Sequence, residues 1–388
     1  MTINAQTYDK LWSEFQEKQE ERLPETAGKV LDKIEKQALR ERNDIQLLKM
    51  LIKRCDILKK TSDEPKDTIL KYCESYLPKL SEESQVIVNV EIARITHDIS
   101  LILDHRENDF IKTVSMERFA PVFVSEKNEN FDLSLEPTLY DYLMHCMIEL
   151  HKTTYYKEHK ITLSDLYQEL LDFDLKNNYI RAYFNNKINQ LGEIYNKKDF
   201  EKYEELANKC PDNELLAKIK IAQIYYLISG DDKQNDYVLA KKYCADVMQL
   251  VDNQHYLYKQ CIEFNQSIEQ KTVDIQMQNV VVPGQPIPVR IAYRNTTDPS
   301  YKIFKVSPSD YVRLKHLDNE KLFKELFAKE LVTENTINTP KETDYKEHSS
   351  LMALSSLEIG QYYVVFSNTN SFKDYNNLIF KSLQVSNL

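Results

Sequence analysis

The feature that most constrains this chain is a change of hydrophobic period near Lys271–Val273. Before it, apolar residues recur every three or four positions, the spacing that lines one face of a helix. After it they alternate. Val273, Ile275 and Met277 fall on one strand face, as do Val289, Ile291 and Tyr293. A single switch of this kind predicts a multidomain α and β chain: an all-α helical-hairpin region over 1–271, then an antiparallel β-sandwich over 272–388. At 388 residues the chain exceeds what one compact core usually holds, in agreement with more than one folding unit.

The helical part reads as amphipathic segments joined by short breaks. Tyr8, Leu11, Trp12 and Phe15 form one stripe, and Pro24 suits the first turn of a second helix carrying Ala27, Val30, Leu31 and Ile34. Asn43-Asp44 marks a turn and cap before Leu47, Leu48, Leu51 and Cys55. Further helices are expected over Pro65–Leu77 and from Ser81, then over Thr138–Tyr155, Thr162–Phe173 and Asn178–Tyr195. Phe119 to Glu136 reads as a long loop. A last set, Phe200–Cys210, Asn213–Ile228, Tyr237–Val251 and Tyr256–Lys271, places small Ala beside large Tyr as tetratricopeptide-type hairpins do. The full repeat consensus is not present. Such an array serves either as a protein-binding surface or as a plain scaffold.

In the β part, strands are expected at Val273–Met277, Val280–Val282, Val289–Tyr293, Tyr301–Val306, Ser350–Leu354, Gln361–Ser367 and Ile379–Val385. Leu317, Leu322, Phe323, Leu326 and Phe327 follow a helical spacing, which predicts a short helical insertion near 317–331.

Composition narrows the function. Five glycines leave little material for phosphate-cradling loops. The net charge of −10 lies almost wholly before Lys271, since the 14 Lys and Arg residues from there onward offset 13 Asp and Glu residues. An acidic helical region argues against nucleic-acid binding, which needs a basic stripe. No run of about 18 apolar residues is present, so no transmembrane segment is expected, and no signal-peptide pattern opens the sequence.

Cys55, Cys73, Cys146 and Cys244 occupy core positions of helices. With Cys210 and Cys261 they are expected as free thiols, not as disulfides or metal ligands. His145 and His151 fall on different helix faces, a helix break separates His151 from His159, and His97-Asp98 and Asp104-His105 point apart. No nucleophile elbow, zinc-protease or P-loop motif occurs. Catalytic, cofactor-binding and metal-binding residues are therefore all expected to be none, and the chain is read as non-enzymatic. Tyr155-Tyr156, Tyr225-Tyr226 and Tyr362-Tyr363 are candidate patches, with packing the expected role.

Short motifs at both ends of the chain add a resemblance. Tyr8-Asp-Lys-Leu11-Trp12, Leu23-Pro24-x-x-Ala27 and Asn43-x-x-Gln46-x-x-Lys49 open the sequence. Val282-Pro283-Gly284, Tyr293-Arg294-Asn295, Tyr301-Lys302-Ile303, Leu357-x-x-Gly360-Gln-Tyr362-Tyr363-Val364 and the closing Val385-Ser386-Asn387-Leu388 follow in the β part. In order and spacing they resemble the N-terminal region of bacterial alpha-2-macroglobulin-family proteins of the Bacteroidetes type. The resemblance implies that the sandwich is macroglobulin-like and the first of a series. It further implies that the partners are later domains of the same polypeptide, target proteases or envelope proteins, and that the intact protein is periplasmic or outer-membrane-associated. The family's Cys-Gly-Glu-Gln thioester matches no cysteine of this sequence, so the resemblance implies an architectural role, with protease trapping carried elsewhere.

Overall fold

The computed structural model describes residues 2–123, 132–153, 161–194, 200–231, 234–296 and 298–387. The chain folds as two compact units, Met1–Asp199 and Phe200–Leu388. The helix-to-strand switch at Glu269–Thr272 therefore lies inside the second unit.

The first unit is helical. Its helices are α1 (Thr2–Glu20), α2 (Pro24–Glu41), α3 (Asp44–Thr61), α4 (Pro65–Tyr76), α5 (Glu82–Thr96), α6 (Ser100–Arg106), α7 (Ala120–Phe123), α8 (Leu139–Thr153), α9 (Leu163–Lys176) and α10 (Ile180–Ile194). Local chemistry sets their ends. Pro24 and Pro65 sit in the first turns of α2 and α4. The Asn43 side chain accepts the Gln46 N–H at 3.2 Å, and the Ser81 hydroxyl accepts the Ser84 N–H at 3.3 Å. Ser81 also donates from its N–H (2.9 Å) and hydroxyl (2.8 Å) to Asp44, so one carboxylate joins the starts of α3 and α5. The apolar stripes meet in one core that includes Trp12, Leu31, Leu48, Val86, Leu143 and Leu170.

Two details depart from the sequence reading. The Phe119–Glu136 loop begins with helical turns over Met116–Phe119 and Ala120–Phe123, which bury Met116, Phe119 and Val122. Residues 124–131 lie outside the described residues. Ser100–Arg106 forms a helix of its own, which sequence reading did not separate from the preceding one.

The second unit opens with α11 (Phe200–Lys209), α12 (Asn213–Ile228), α13 (Tyr237–Leu250) and α14 (Tyr256–Glu269), whose core gathers Ala217, Ile224, Ala240, Cys244, Leu257 and Cys261. Asp212 and Asp236 cap α12 and α13. The strands are β1 (Thr272–Met277), β2 (Val280–Val281), β3 (Ile287–Arg294), β4 (Ser300–Val306), β5 (Glu330–Thr336), β6 (His348–Leu354), β7 (Gly360–Ser367) and β8 (Leu378–Val385). They form a three-stranded sheet, β1-β3-β6, and a five-stranded sheet, β2-β8-β7-β4-β5. Ile291 and Tyr293 from the first sheet and Ile303, Val364 and Leu383 from the second share one core, as a sandwich requires.

The sandwich differs from expectation in three ways. β2 pairs with β8 in parallel, so the larger sheet is mixed and not purely antiparallel. The helical insertion near 317–331 is a pair of helices, α15 (Pro308–Leu314) and α16 (Asn319–Leu326), followed by β5, which begins at Glu330. These helices cover the outer face of the larger sheet, where Leu314, Leu322, Phe323 and Leu326 pack on Phe304, Tyr363 and Val365. Both faces of β7 are thus buried, which explains its nearly continuous apolar run.

Candidate functional site

A buried polar constellation lies among α8, α9 and α10. Thr138 and Asp141 form a reciprocal cap at the start of α8. The Thr138 N–H and hydroxyl donate to Asp141 Oδ2 at 3.0 and 2.5 Å, and the Asp141 N–H donates to the Thr138 hydroxyl at 3.3 Å. One helical turn on, His145 donates from Nδ1 to Glu136 Oε1 and from Nε2 to Asn186 Oδ1, both at 2.6 Å. Asn186 passes its amide hydrogen to Asp174 Oδ2 at 2.8 Å. Asp141, Asp174 and Asn186 are fully buried, and the chain reaches water at Glu136 and His145, whose side chains are 24% and 20% exposed.

The electrostatics follow from this geometry. The Asp141 and Asp174 carboxyls are electrostatically coupled, and the buried Oδ1 of each has no hydrogen-bond partner. Two carboxylates cannot both stay ionised at such a contact, so one proton lies between them. Burial, followed by the Asp141 charge, pushes Asp174 up to about 8. Burial also raises Asp141, against the hydrogen bonds from Thr138. At His145 burial disfavours the cation, but the bond and charge of Glu136, then the bond to Asn186, outweigh it and carry the imidazole up to about 9. The network therefore stores one proton on the carboxyl pair and one on His145. It contains no thiol or hydroxyl poised beside a free base, since the Thr138 hydroxyl is engaged with the ionisable group that would activate it. Its chemistry is that of a buried latch holding three helices in register.

A second polar cleft is lined by Glu35, Arg54, Asp67, Lys71, Tyr72 and Tyr76. Its groups are also engaged with one another: Tyr76 donates to Glu35, Tyr72 donates to Tyr76 at 3.2 Å, and Arg54 bonds Asp32. Burial raises both phenols, so they remain protonated donors.

The remaining candidates separate clearly. His151 Nε2 bonds the Ile161 carbonyl at 3.1 Å and His105 Nε2 contacts the Asn89 amide at 2.9 Å. His97 is the left-handed residue that ends α5. His159, Tyr155 and Tyr156 lie outside the described residues. Among the described residues no group of three or more His, Cys, Asp and Glu side chains could hold a metal ion. Tyr362 and Tyr363 are both packed inside, on opposite faces of β7.

Tyr225 and Tyr226 behave differently. They are 49% and 37% exposed on α12, and Tyr256 on α14 is 57% exposed. Their rings are held in place. Tyr225 meets Phe264 edge-on at 5.0 Å and accepts a hydrogen bond from Gln260 at 2.8 Å, and Tyr226 packs on Phe200 at 5.2 Å. Through Tyr225, α12 meets α14 at Gln260 and Phe264. Anchored, half-exposed tyrosines supply contact area at little entropic cost.

Sequence reading missed the buried network because single polar residues at core positions resemble a solvated face. The one signal present was the Thr138-x-x-Asp141 cap. No protein-family model matches the chain, and comparison with curated proteins finds no significant match.

Proposed function

We propose that the chain is a non-catalytic scaffold and protein-interaction module in which a tetratricopeptide-like helical array carries a macroglobulin-like sandwich. The observation that carries this reading is a set of exposed tyrosines with packed rings, Tyr225 and Tyr226 on α12 and Tyr256 on α14. The ionisable groups described above support the same reading, because each is engaged in joining helices.

On the motif resemblance, the proposal extends to an exported alpha-2-macroglobulin-like protein of which this module is the N-terminal part, serving envelope defence through protease trapping by later domains. A stand-alone binding module with an appended sandwich is the second reading, and it rests on the same tyrosines without the family context.

Chemical cross-linking in envelope extract, followed by capture of the chain, tests the proposal. The expected result is one dominant cross-linked partner that is lost in a Tyr225→Ala, Tyr226→Ala, Tyr256→Ala variant of unchanged circular dichroism. Equal cross-linking by the wild type and the triple variant would refute the role of this face. A partner that is a further sandwich of the same polypeptide would favour the family reading over the stand-alone one.

A further inference from the structure

The helical core of the first unit brings two cysteines together. Cys55 on α3 and Cys73 on α4 are 18 residues apart and bring their sulfurs to 3.5 Å across a helical hairpin. Both side chains are buried, and the two helices are consecutive in the chain.

We infer that Cys55–Cys73 is a hairpin disulfide of the protein in an oxidising compartment. A sulfur separation of 3.5 Å is about 1.5 Å beyond a disulfide bond of roughly 2.05 Å, a gap that side-chain rotation and a small helix shift close.

The reaction needs a disulfide donor, and glutathione disulfide serves. One of the two thiolates attacks a glutathione sulfur and breaks the S–S bond, which releases one glutathione thiolate and leaves a mixed disulfide. The other cysteine, giving its proton to solvent, then attacks the protein sulfur of that mixed disulfide and expels the second glutathione. The protein loses two hydrogens and two electrons, and the donor becomes two reduced glutathiones. Burial of both sulfurs confines the exchange to folding or to transient opening of the hairpin, after which the bond is shielded from reductant.

This inference is independent of the tyrosine face. The test is to refold the whole chain in a buffer of glutathione disulfide with a trace of reduced glutathione, then to alkylate it under denaturing conditions. Proteolysis without reductant should release a peptide pair joined as Cys55–Cys73, about 2 Da lighter than its two reduced parts together. Cys55 and Cys73 recovered alkylated, or joined to any other cysteine, would overturn the inference. In a Cys55→Ser variant Cys73 should become open to alkylation, and a Cys73 still protected there would overturn the pairing.

Discussion

Replacing Asp174 with asparagine tests the shared proton between α8 and α9. In the wild type Asp174 holds its proton up to about pH 8 when folded, whereas an unfolded aspartate ionises near ~3.9. Between these values the folded chain binds more protons than the unfolded chain, so stability falls as pH rises through the window. The contribution is complete below about pH 4 and is lost as pH climbs through about 8. Four pH units correspond to roughly 5 kcal/mol. Water reaching the His145 end of the network and rearrangement of Asn186 soften this, and this group is expected to make the fold about 2–4 kcal/mol less stable at pH 7 than at pH 4.

Asparagine has no proton to lose. Its oxygen can accept the Asn186 amide and its NH2 can donate to the orphaned Asp141 Oδ1. Asp174→Asn should therefore be close to neutral near pH 4 and stabilising near pH 8. The assay is urea unfolding followed by fluorescence. The single tryptophan of the chain, Trp12, sits in the same compact unit as the network and so reports that unit selectively. A variant destabilised by about 1 kcal/mol or more, by the same amount at both ends of the pH range, would refute the shared proton.

Three further outcomes follow from the same geometry. His145 should titrate near 9 by NMR, and Glu136→Gln should bring it down sharply; because its folded value is raised, His145 adds stability below about pH 6.5 that is lost as pH passes about 9. Asn295 donates to the carbonyls of Ile268 and Gln270 from a left-handed backbone (φ 54°), so Asn295→Ala should cost about 2–3 kcal/mol by denaturant unfolding; Asn295→Gly, which removes only the backbone strain, should recover about 1 kcal/mol of that. Phe323 is fully buried between α16 and the outer face of the larger sheet, so Phe323→Ala should cost about 3–5 kcal/mol in thermal or urea unfolding followed by circular dichroism.

The helices and most strands were legible because their periods are dictated by burial on one face. Pro24–Glu41, which buries Ala27, Val30, Leu31, Ile34 and Ala38, and the alternating strand Ile287–Arg294 are recognisable from spacing alone. β5 was not, because its residues Glu330–Thr336 lie on an exposed sheet edge, follow directly on a helical pattern and carry no alternating apolar face. β7 was legible as a strand, but its two buried faces were informative only once α15 and α16 were known to cover the second. The buried network escaped for a different reason. Asp141, Asp174 and Asn186 come from three helices, and only the register between those helices turns three unremarkable polar residues into one chain of hydrogen bonds. Cys55 and Cys73 share that property, since spacing placed each thiol in a core without revealing that they face each other.

The joint between helix and sheet has a consequence for how this architecture can be inherited. The last carbonyls of α14 find no local partner of the usual kind. Ile268 receives hydrogen bonds from Arg294 and Asn295, Gln270 receives one from Asn295, and Lys271 receives one from Asn368. The Arg294 guanidinium also lies 4.6 Å over the ring of Tyr237 at the start of α13. A gene divided at the α/β switch would strip the helix of its terminating groups and leave the sheet with orphaned donors. Duplication or transplantation is therefore expected to move the last four helices and the sandwich together, with the natural breakpoint near Asp199–Phe200 and not at the place where the hydrophobic period changes.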